Sequence, residues 1–419
     1  MASSNKVLLI NQYFYPDMAA TSQLLGDLAQ FLGEAGWSVV ALSGRGNYAK
    51  AASSKENLSA NIWPGVSVRR VWCTDFGRGN SVGRLCDYLT FLVSAAIRVA
   101  WSPRADVVVC LSTPPFAALL GLIAQLRGSR LIYKVEDLYP EIAVALSTLR
   151  RTSLLTRTLS WLSRFVLKKA DGVVALDNAM AQRLVEAGAR SVEVIPNWAD
   201  GAAIRPDLQA RQTFRQSEGL EGKFVVLYSG NLGLAHRFDA VLDTAKLCVE
   251  ERPDVLFLFV GNGPRLNSVQ GAAAGLSNVR FMGYQPRERL NELYNAADIH
   301  LVTLQDEAAG LLFPSKYPAA LAAGKPVLLV GGSSAPFATE IHTQKLGWVC
   351  PHRSASIMDA VSDAQKNSTN LEVMGRSARR LFETRYSRTI AMELWGQVLE
   401  TVMKVSLVEE ESAIKARSA

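Results

Sequence analysis

Short apolar runs alternate with amphipathic stretches along nearly the whole chain. The first half holds 7–10 (VLLI), 39–42 (VVAL), 68–72 (VRRVW), 107–111 (VVVCL), 131–135 (LIYKV), 172–176 (GVVAL) and 192–195 (VEVI). The second holds 224–228 (FVVLY), 255–260 (VLFLFV), 278–282 (NVRFM), 299–304 (IHLVTL) and 326–330 (PVLLV). Unbroken apolar runs of this length suit strands covered on both faces, and the helical patterns between them supply crossovers, so the chain is predicted to be α/β with doubly wound parallel sheets. Turn residues at Pro196-Asn197-Trp198-Ala199-Asp200-Gly201 and the polar stretch after them divide the pattern. The predicted domains are 1–205 and 206–385, each opening on a buried strand. In 386–419, Ile390, Leu394, Trp395, Val398 and Val402 predict a helix over 387–404 that packs back toward the N-terminal domain, followed by a frayed polar tail.

Composition narrows the class. At 419 residues, 49% hydrophobic and 20% charged, the chain has ample apolar surface for two domains, and disorder is excluded. The five scattered cysteines form no CxxC pair, which fits a reducing compartment better than a disulfide framework or a zinc site. The first strand begins so close to Met1 that no signal peptide is expected. No membrane span is expected either: 107–126 is interrupted by Pro114-Pro115, and 88–97 is half the length a span requires. The net charge of +7 is unevenly placed. Arg150, Arg151, Arg157, Arg164, Lys168 and Lys169 lie between Glu141 and Asp171 with no acid among them. This local excess lacks a recognition motif for nucleic acid.

Chemistry concentrates at strand ends. Phe313-Pro314-Ser315-Lys316 precedes an alanine-rich helix closed by Gly324, with Ser315 at the N-cap position and Lys316 in the first turn. A helix start with a lysine where the dipole favours an acid points to a bound anion. Gly230-Asn231-Leu232-Gly233 with His236 and Arg237 follows one strand, and Gly261-Asn262-Gly263 follows the next. In a doubly wound sheet such loops converge on one edge, the usual ligand crevice. In the first half, Tyr13, Tyr15 and Pro16 follow the first strand, and Glu136, Asp137 and Glu141 follow a later one, where carboxylates serve as a base or grip hydroxyls. All four histidines lie in the second half, and no carboxylate cluster of metal type is present, so no metal or other cofactor is expected.

Together the stretches NQYFYPDMAATSQLLGDLAQFLGEAGWSVVALS, KVEDLYPEIAVALSTL, VIPNWAD, YSGNLGLAHRFDAVLDTA, FVGNGP, NVRFMGY and FPSKYPAALAAGKPV make the chain similar to the retaining nucleotide-sugar-dependent glycosyltransferases of family 4, in particular to those of colanic-acid and O-antigen synthesis. The resemblance implies two Rossmann-like domains facing a central cleft, the GT-B fold. It implies transfer of a sugar from a UDP- or GDP-sugar, with retention, to a polyprenyl-diphosphate-linked sugar or glycan. The donor diphosphate would be held by Lys316, Ser315, Asn231, His236 and Arg237. Nucleotide and sugar would lie by Gly230, Gly261, Asn262, Gly263, Glu307, Gly310 and Leu311. The acceptor would meet Tyr13, Tyr15, Pro16, Glu136 and Asp137, with Asp137 and Glu141 as catalytic candidates. Fixed positive groups at a diphosphate stabilise leaving-group charge as it grows, which accounts for the expectation of no metal.

The sequence departs from the family pattern. Leu311 and Ala319 stand where many members have a pair of glutamates, Asn231 and His236 where an arginine and a lysine are usual, and the usual N-domain histidine is absent. Two rival readings stay open: a sugar-nucleotide epimerase or hydrolase on the same fold, and a non-catalytic sugar-nucleotide-binding protein at a membrane. The basic segment reads as an amphipathic helix, with Arg150, Arg157, Arg164 and Lys168 on one stripe, Leu155, Leu159, Leu162 and Val166 on another, and Trp161 and Phe165 flanking. That pattern, with the apolar 85–101, fits adsorption to anionic lipid, and the resemblance, whose acceptors are lipid-linked sugars at the inner face of the cytoplasmic membrane, implies a cytoplasmic protein peripheral to that face.

Overall fold

A computed structural model of the chain describes residues 4–17, 19–45, 62–77 and 81–418; of Ser81 and of 405–418 only the backbone is described. The chain forms two compact units, Met1–Pro196 with Met392–Ala419, and Asn197–Ala391.

In the first unit β1 (Lys6–Ile10), β2 (Ser38–Gly44), β3 (Val66–Val71), β4 (Val107–Leu111), β5 (Arg130–Lys134), β6 (Gly172–Ala175) and β7 (Val192–Val194) form a parallel sheet in the order β3-β2-β1-β4-β5-β6-β7. Leu8 faces Val40 on one side and Val108 on the other. The central β4 is fully buried, as its unbroken apolar run requires. Strand order reverses direction between β1 and β4, where loops diverge to opposite faces of the sheet and leave a crevice at the carboxyl edge.

In the second unit β8 (Phe224–Ser229), β9 (Val255–Val260), β10 (Val279–Met282), β11 (Ile299–Thr303), β12 (Val327–Val330) and β13 (Gly347–Cys350) form the order β10-β9-β8-β11-β12-β13, with its reversal between β8 and β11. Side-chain alternation supplies two cores. Val226, Tyr228, Phe257 and Phe259 pack with Val241, Ala245 and Ile357. Val225, Leu227, Leu256 and Leu258 pack on the other face with Phe214 and Leu293.

Three features differ from the sequence expectation. The units divide after Pro196, ahead of 205, because the Ala199 N–H donates to Tyr386 O (3.1 Å), the Arg388 N–H donates to Ala199 O (3.2 Å), and Ile204 is buried. These are tertiary contacts with distant sequence, invisible to a turn signal. The half-buried β13 lies in the apolar stretch 346–350 but is not among the strands expected from the sequence. It can pair only because Gly347, at φ +151°, brings its Cα where a Cβ would stand 1.9 Å from Val327 O. The last helix spans Arg388–Ser418, with a helical backbone beyond 404, since its glutamates, alanines and lysine are good helix formers and no glycine or proline stops it. Its Trp395, Val398, Leu399 and Val402 are buried, and Val402 faces Gly172 of β6.

Candidate functional site

Three loops of the second unit are joined at the carboxyl ends of β8, β9 and β11. The Leu232 N–H donates to Asn262 O (2.8 Å), and the Arg265 N–H to Leu232 O (3.1 Å). Gln305 donates through its backbone N–H to Ala235 O (2.8 Å) and through Nε2 to Leu234 O (2.7 Å). The backbones touch: Gly261 has φ +138°, and a Cβ there would stand 2.1 Å from Gly230 O. Asn231 wedges its side chain against Gly233 and Gly263. The structure thus brings Gly230, Asn231, His236, Gly261, Asn262, Gly263 and Lys316 into one neighbourhood at the β8/β11 reversal.

Lys316 lies at its centre. It opens the helix Lys316–Ala322, is only 8% exposed, and places Nζ 4.5 Å from the centre of the Tyr228 ring and 3.3 Å from His236 Nε2. His236 Nδ1 is 2.5 Å from Thr303 O. A carbonyl oxygen only accepts, so Nδ1 carries the proton and Nε2 is the acceptor that Lys316 meets. Burial pushes Lys316 down to about 7, and among the described residues no carboxylate pairs with it. Burial, and then the charge of Lys316, hold His236 well below the usual histidine range and keep it neutral. A buried ammonium faced by a neutral imidazole and an aromatic ring is an uncompensated cation, which an incoming anion completes.

The other expected residues divide. Ser315 occupies the N-cap position, but it is exposed, in helical conformation, and makes no side-chain capping bond; the expected hydroxyl cap is replaced by the backbone turn Tyr317 N–H to Pro314 O (3.0 Å). Arg237 is exposed and pairs with Asp239 (3.3 Å), away from burial. Glu307 is exposed on a short turn after β11, Gly310 takes a positive φ (+69°), and Leu311 is buried as core. One residue escaped the sequence reading. Arg265, directly after Gly263-Pro264, is half-buried, acts on His236 through its charge, and has a buried Nε without a partner. Its place one step beyond the glycine turn was the available signal.

In the first unit, Gln12 N–H donates to Thr113 O (3.0 Å), joining the loops at the β1/β4 reversal. Ser112 Oγ accepts from Glu136 N–H (2.9 Å) and Asp137 N–H (3.3 Å). Glu136 is buried in an ion pair with Lys134, so its carboxylate is held inward and is not offered to an acceptor. Asp137 is half-buried, and Glu141 is exposed in the first turn of the helix Glu141–Ala145. Tyr13 is buried, Tyr15 packs on Trp63 with ring centres 5.1 Å apart, and Pro16 is exposed.

The basic segment forms the helix Leu154–Lys169, capped by Ser153 Oγ accepting from Thr156 N–H (3.1 Å). It buries Thr156, Val166 and Leu167 and exposes Arg157, Arg164 and Lys168, with Arg150 exposed just before it. Of the expected apolar stripe, Val166 is buried and Leu155 exposed, and Trp161 and Phe165 are exposed with their rings stacked 5.7 Å apart. A second helix, Ser81–Trp101, buries Phe91, Ala95 and Val99 yet exposes Val82, Leu85, Leu89, Val93, Ile97 and Trp101 along its other face. The helix Ala118–Gln125 packs against both. No helix among the described residues is long and apolar enough to cross a membrane.

Lys316 thus stands as a buried cation at the strand reversal of a Rossmann-type sheet, where among the described residues no carboxylate offsets it. The chain belongs to the glycosyltransferases composed of a glycosyl transferase 4-like domain, matched over residues 21–198, and a glycosyl transferases group 1 domain, matched over 210–381. It is 28% identical to WbjE of Pseudomonas aeruginosa, described as a glycosyltransferase, across 80% of this chain and 86% of that one. It is 23% identical to WcaI of Escherichia coli strain K12, a glycosyl transferase assigned to colanic acid biosynthesis, across 82% and 86%. The fold matches that of Anabaena HepE, solved in complex with UDP-glucose, with TM-score 0.69 and 20% identity over 95% of this chain and 99% of that one. The two-domain GT-B fold expected from the sequence is therefore the fold of this protein.

Proposed function

We propose that the protein transfers a sugar, with retention, from a UDP- or GDP-sugar to a lipid-linked glycan acceptor in the synthesis of a bacterial surface polysaccharide. The observation that carries this is Lys316: a buried, unpaired cation at the β8/β11 reversal, where a nucleotide's diphosphate would supply the missing charge. In the reaction the bond from the sugar's anomeric carbon to the diphosphate breaks, a bond to the acceptor hydroxyl oxygen forms, and that hydroxyl's proton passes to Asp137 or to an oxygen of the departing diphosphate. Lys316 stabilises the charge growing on the departing diphosphate, without a metal. Support for a polysaccharide pathway comes from the likeness to WcaI, and for a UDP-sugar from the likeness to HepE. The acceptor is assigned to the first unit, with Asp137 at the end of β5 as the candidate group for orienting or deprotonating the hydroxyl.

The test is a calorimetric panel of UDP-, GDP-, ADP- and dTDP-sugars, followed by turnover with polyprenyl-diphosphate-linked acceptors and NMR of the product's anomeric centre. One donor binds, and the product keeps the donor's configuration. Binding to none sinks the reading. Epimer or free sugar formed without acceptor moves the protein to the epimerase or hydrolase class, and binding without any turnover makes it a non-catalytic binder.

The exposed apolar face of Ser81–Trp101 and the exposed Trp161, Arg157 and Arg164 of Leu154–Lys169, two helices that both pack on Ala118–Gln125, support a peripheral position on the anionic inner face of the cytoplasmic membrane. Each basic side chain near such a surface contributes about 1 kcal/mol. Arg157→Glu with Arg164→Glu is expected to lower binding to phosphatidylglycerol vesicles by about 100-fold or more, while neutral vesicles bind neither protein well. Equal co-sedimentation of the variant and the parent with anionic vesicles counts against this placement.

A further inference from the structure

We propose that Arg265 is a second cation of the diphosphate site, closing on the oxygens that Lys316 alone leaves unneutralised. The inference rests on the donor reading above. A nucleotide-sugar carries negative charge on each phosphoryl group, and more on the terminal one once the sugar has left. Lys316, pushed down to about 7 by burial, brings at most one positive charge. His236 is neutral there. Arg237, the cation closest in sequence, is exposed and engaged by Asp239.

Arg265 has the properties the site otherwise lacks. A guanidinium offers a planar fork of donors that matches phosphate oxygens. Its backbone N–H is tied to Leu232 O (3.1 Å), which pins the residue to the loop bearing Asn231 and His236. Its charge acts on His236, whose Nε2 lies 3.3 Å from Lys316 Nζ, so both cations act on one imidazole. Nε is buried with no hydrogen-bond partner, and among the described residues no carboxylate pairs with the side chain. A buried N–H left open lowers stability. A purely structural arginine would have been given an acceptor, as Arg211 and Arg215 of this unit are by Asp298 (2.6 Å and 2.5 Å).

The experiment is calorimetry on the full chain with the nucleoside diphosphate that the wild type binds, with inorganic diphosphate, and with the uncharged nucleoside. Arg265→Gln is expected to weaken both phosphate-bearing ligands by about 10- to 100-fold and leave the nucleoside unchanged, the scale of a lost hydrogen bond to a charged group. Arg265→Lys recovers part of the loss. Both variants melt at or above the wild-type temperature, since neither gives up a hydrogen bond made by the side chain. If Arg265→Gln binds the nucleoside diphosphate within twofold of wild type while Lys316→Ala loses it, this inference is overturned and the donor reading stands. A lowered melting temperature with equal losses for all three ligands makes Arg265 structural and also overturns it. If the wild type binds no nucleoside diphosphate, both readings fall together.

Discussion

Lys316→Met removes donor binding and at the same time raises the melting temperature of the ligand-free protein. The two effects have one cause. Burial lowers the Lys316 pKa from 10.5 to about 7, and among the described residues no carboxylate offsets it. Between those values the unfolded chain holds a proton that the folded chain does not, so wild-type stability rises as pH goes up through this window. Below about 7 the whole cost is present, of order a few kcal/mol at ~1.4 kcal/mol per unit. Methionine keeps the volume, can rest its sulfur on the Tyr228 ring, and carries no charge. For a domain of this size the gain is expected to be roughly 4 °C or more at pH 7.

The same shift makes donor binding proton-linked. A diphosphate stabilises the ammonium, so the wild type takes up close to one proton per donor bound above neutrality. Its affinity then falls by about tenfold per pH unit between about 7 and the pKa in the complex. Lys316→Met loses at least about 100-fold in affinity and shows no such slope. Calorimetry in buffers of different ionisation enthalpy reads the proton, and thermal melts from pH 6 to 10 read the stability. A variant less stable than wild type at every pH, or wild-type binding indifferent to pH, would show that Lys316 is compensated by something else.

Gly261→Ala unfolds the site outright. The added Cβ would stand 2.1 Å from Gly230 O and 2.9 Å from Gly230 C, both backbone atoms, in a backbone conformation (φ +138°) that alanine rarely adopts. Neither the clash nor the strain can be relieved by a side-chain rotation, so the loops after β8 and β9 must separate. Urea denaturation is expected to report a loss of about 3 kcal/mol or more, and donor binding disappears with the loop contact. Gly271 is the control. It lies in the helix Leu266–Ala272, a few residues further on, and a Cβ there meets nothing within 4 Å. Gly271→Ala is expected to stabilise by about 0.5–1 kcal/mol and leave binding intact. Similar effects of the two substitutions would mean that the Gly230–Gly261 approach is not what holds the loops.

Both sheets were legible because a buried parallel strand writes its burial directly as an apolar run. Val107–Leu111 and Val255–Val260 illustrate this, whereas the half-exposed β13, within the apolar stretch 346–350, was not read as a strand. The glycine loops and Lys316 were legible because they follow strands in a fold whose ligand edge is known once the strands are. Arg237 and Ser315 show the limit. Each has the right chemistry at the right place in the chain, yet one side chain turns to Asp239 and the other makes no cap, because rotamers are decided by neighbours that periodicity does not see. Glu136 is a sharper case: a carboxylate at a strand end looks available until Lys134, two residues earlier on the same strand, is found buried against it.

The amino-acid order by itself thus determined the class of fold, the division into two units of similar design and the strand ends where ligand chemistry would gather, since all three follow from local pattern and from which residues can be buried. Tertiary structure alone decided which charges remain uncompensated. Lys316 is buried, and Arg265 has a buried Nε, where no carboxylate among the described residues pairs with them, whereas the buried Lys134 and the half-buried Arg211 and Arg215 each have one. Burial and pairing depend on residues far apart in sequence, and the free energy of a charge depends on both.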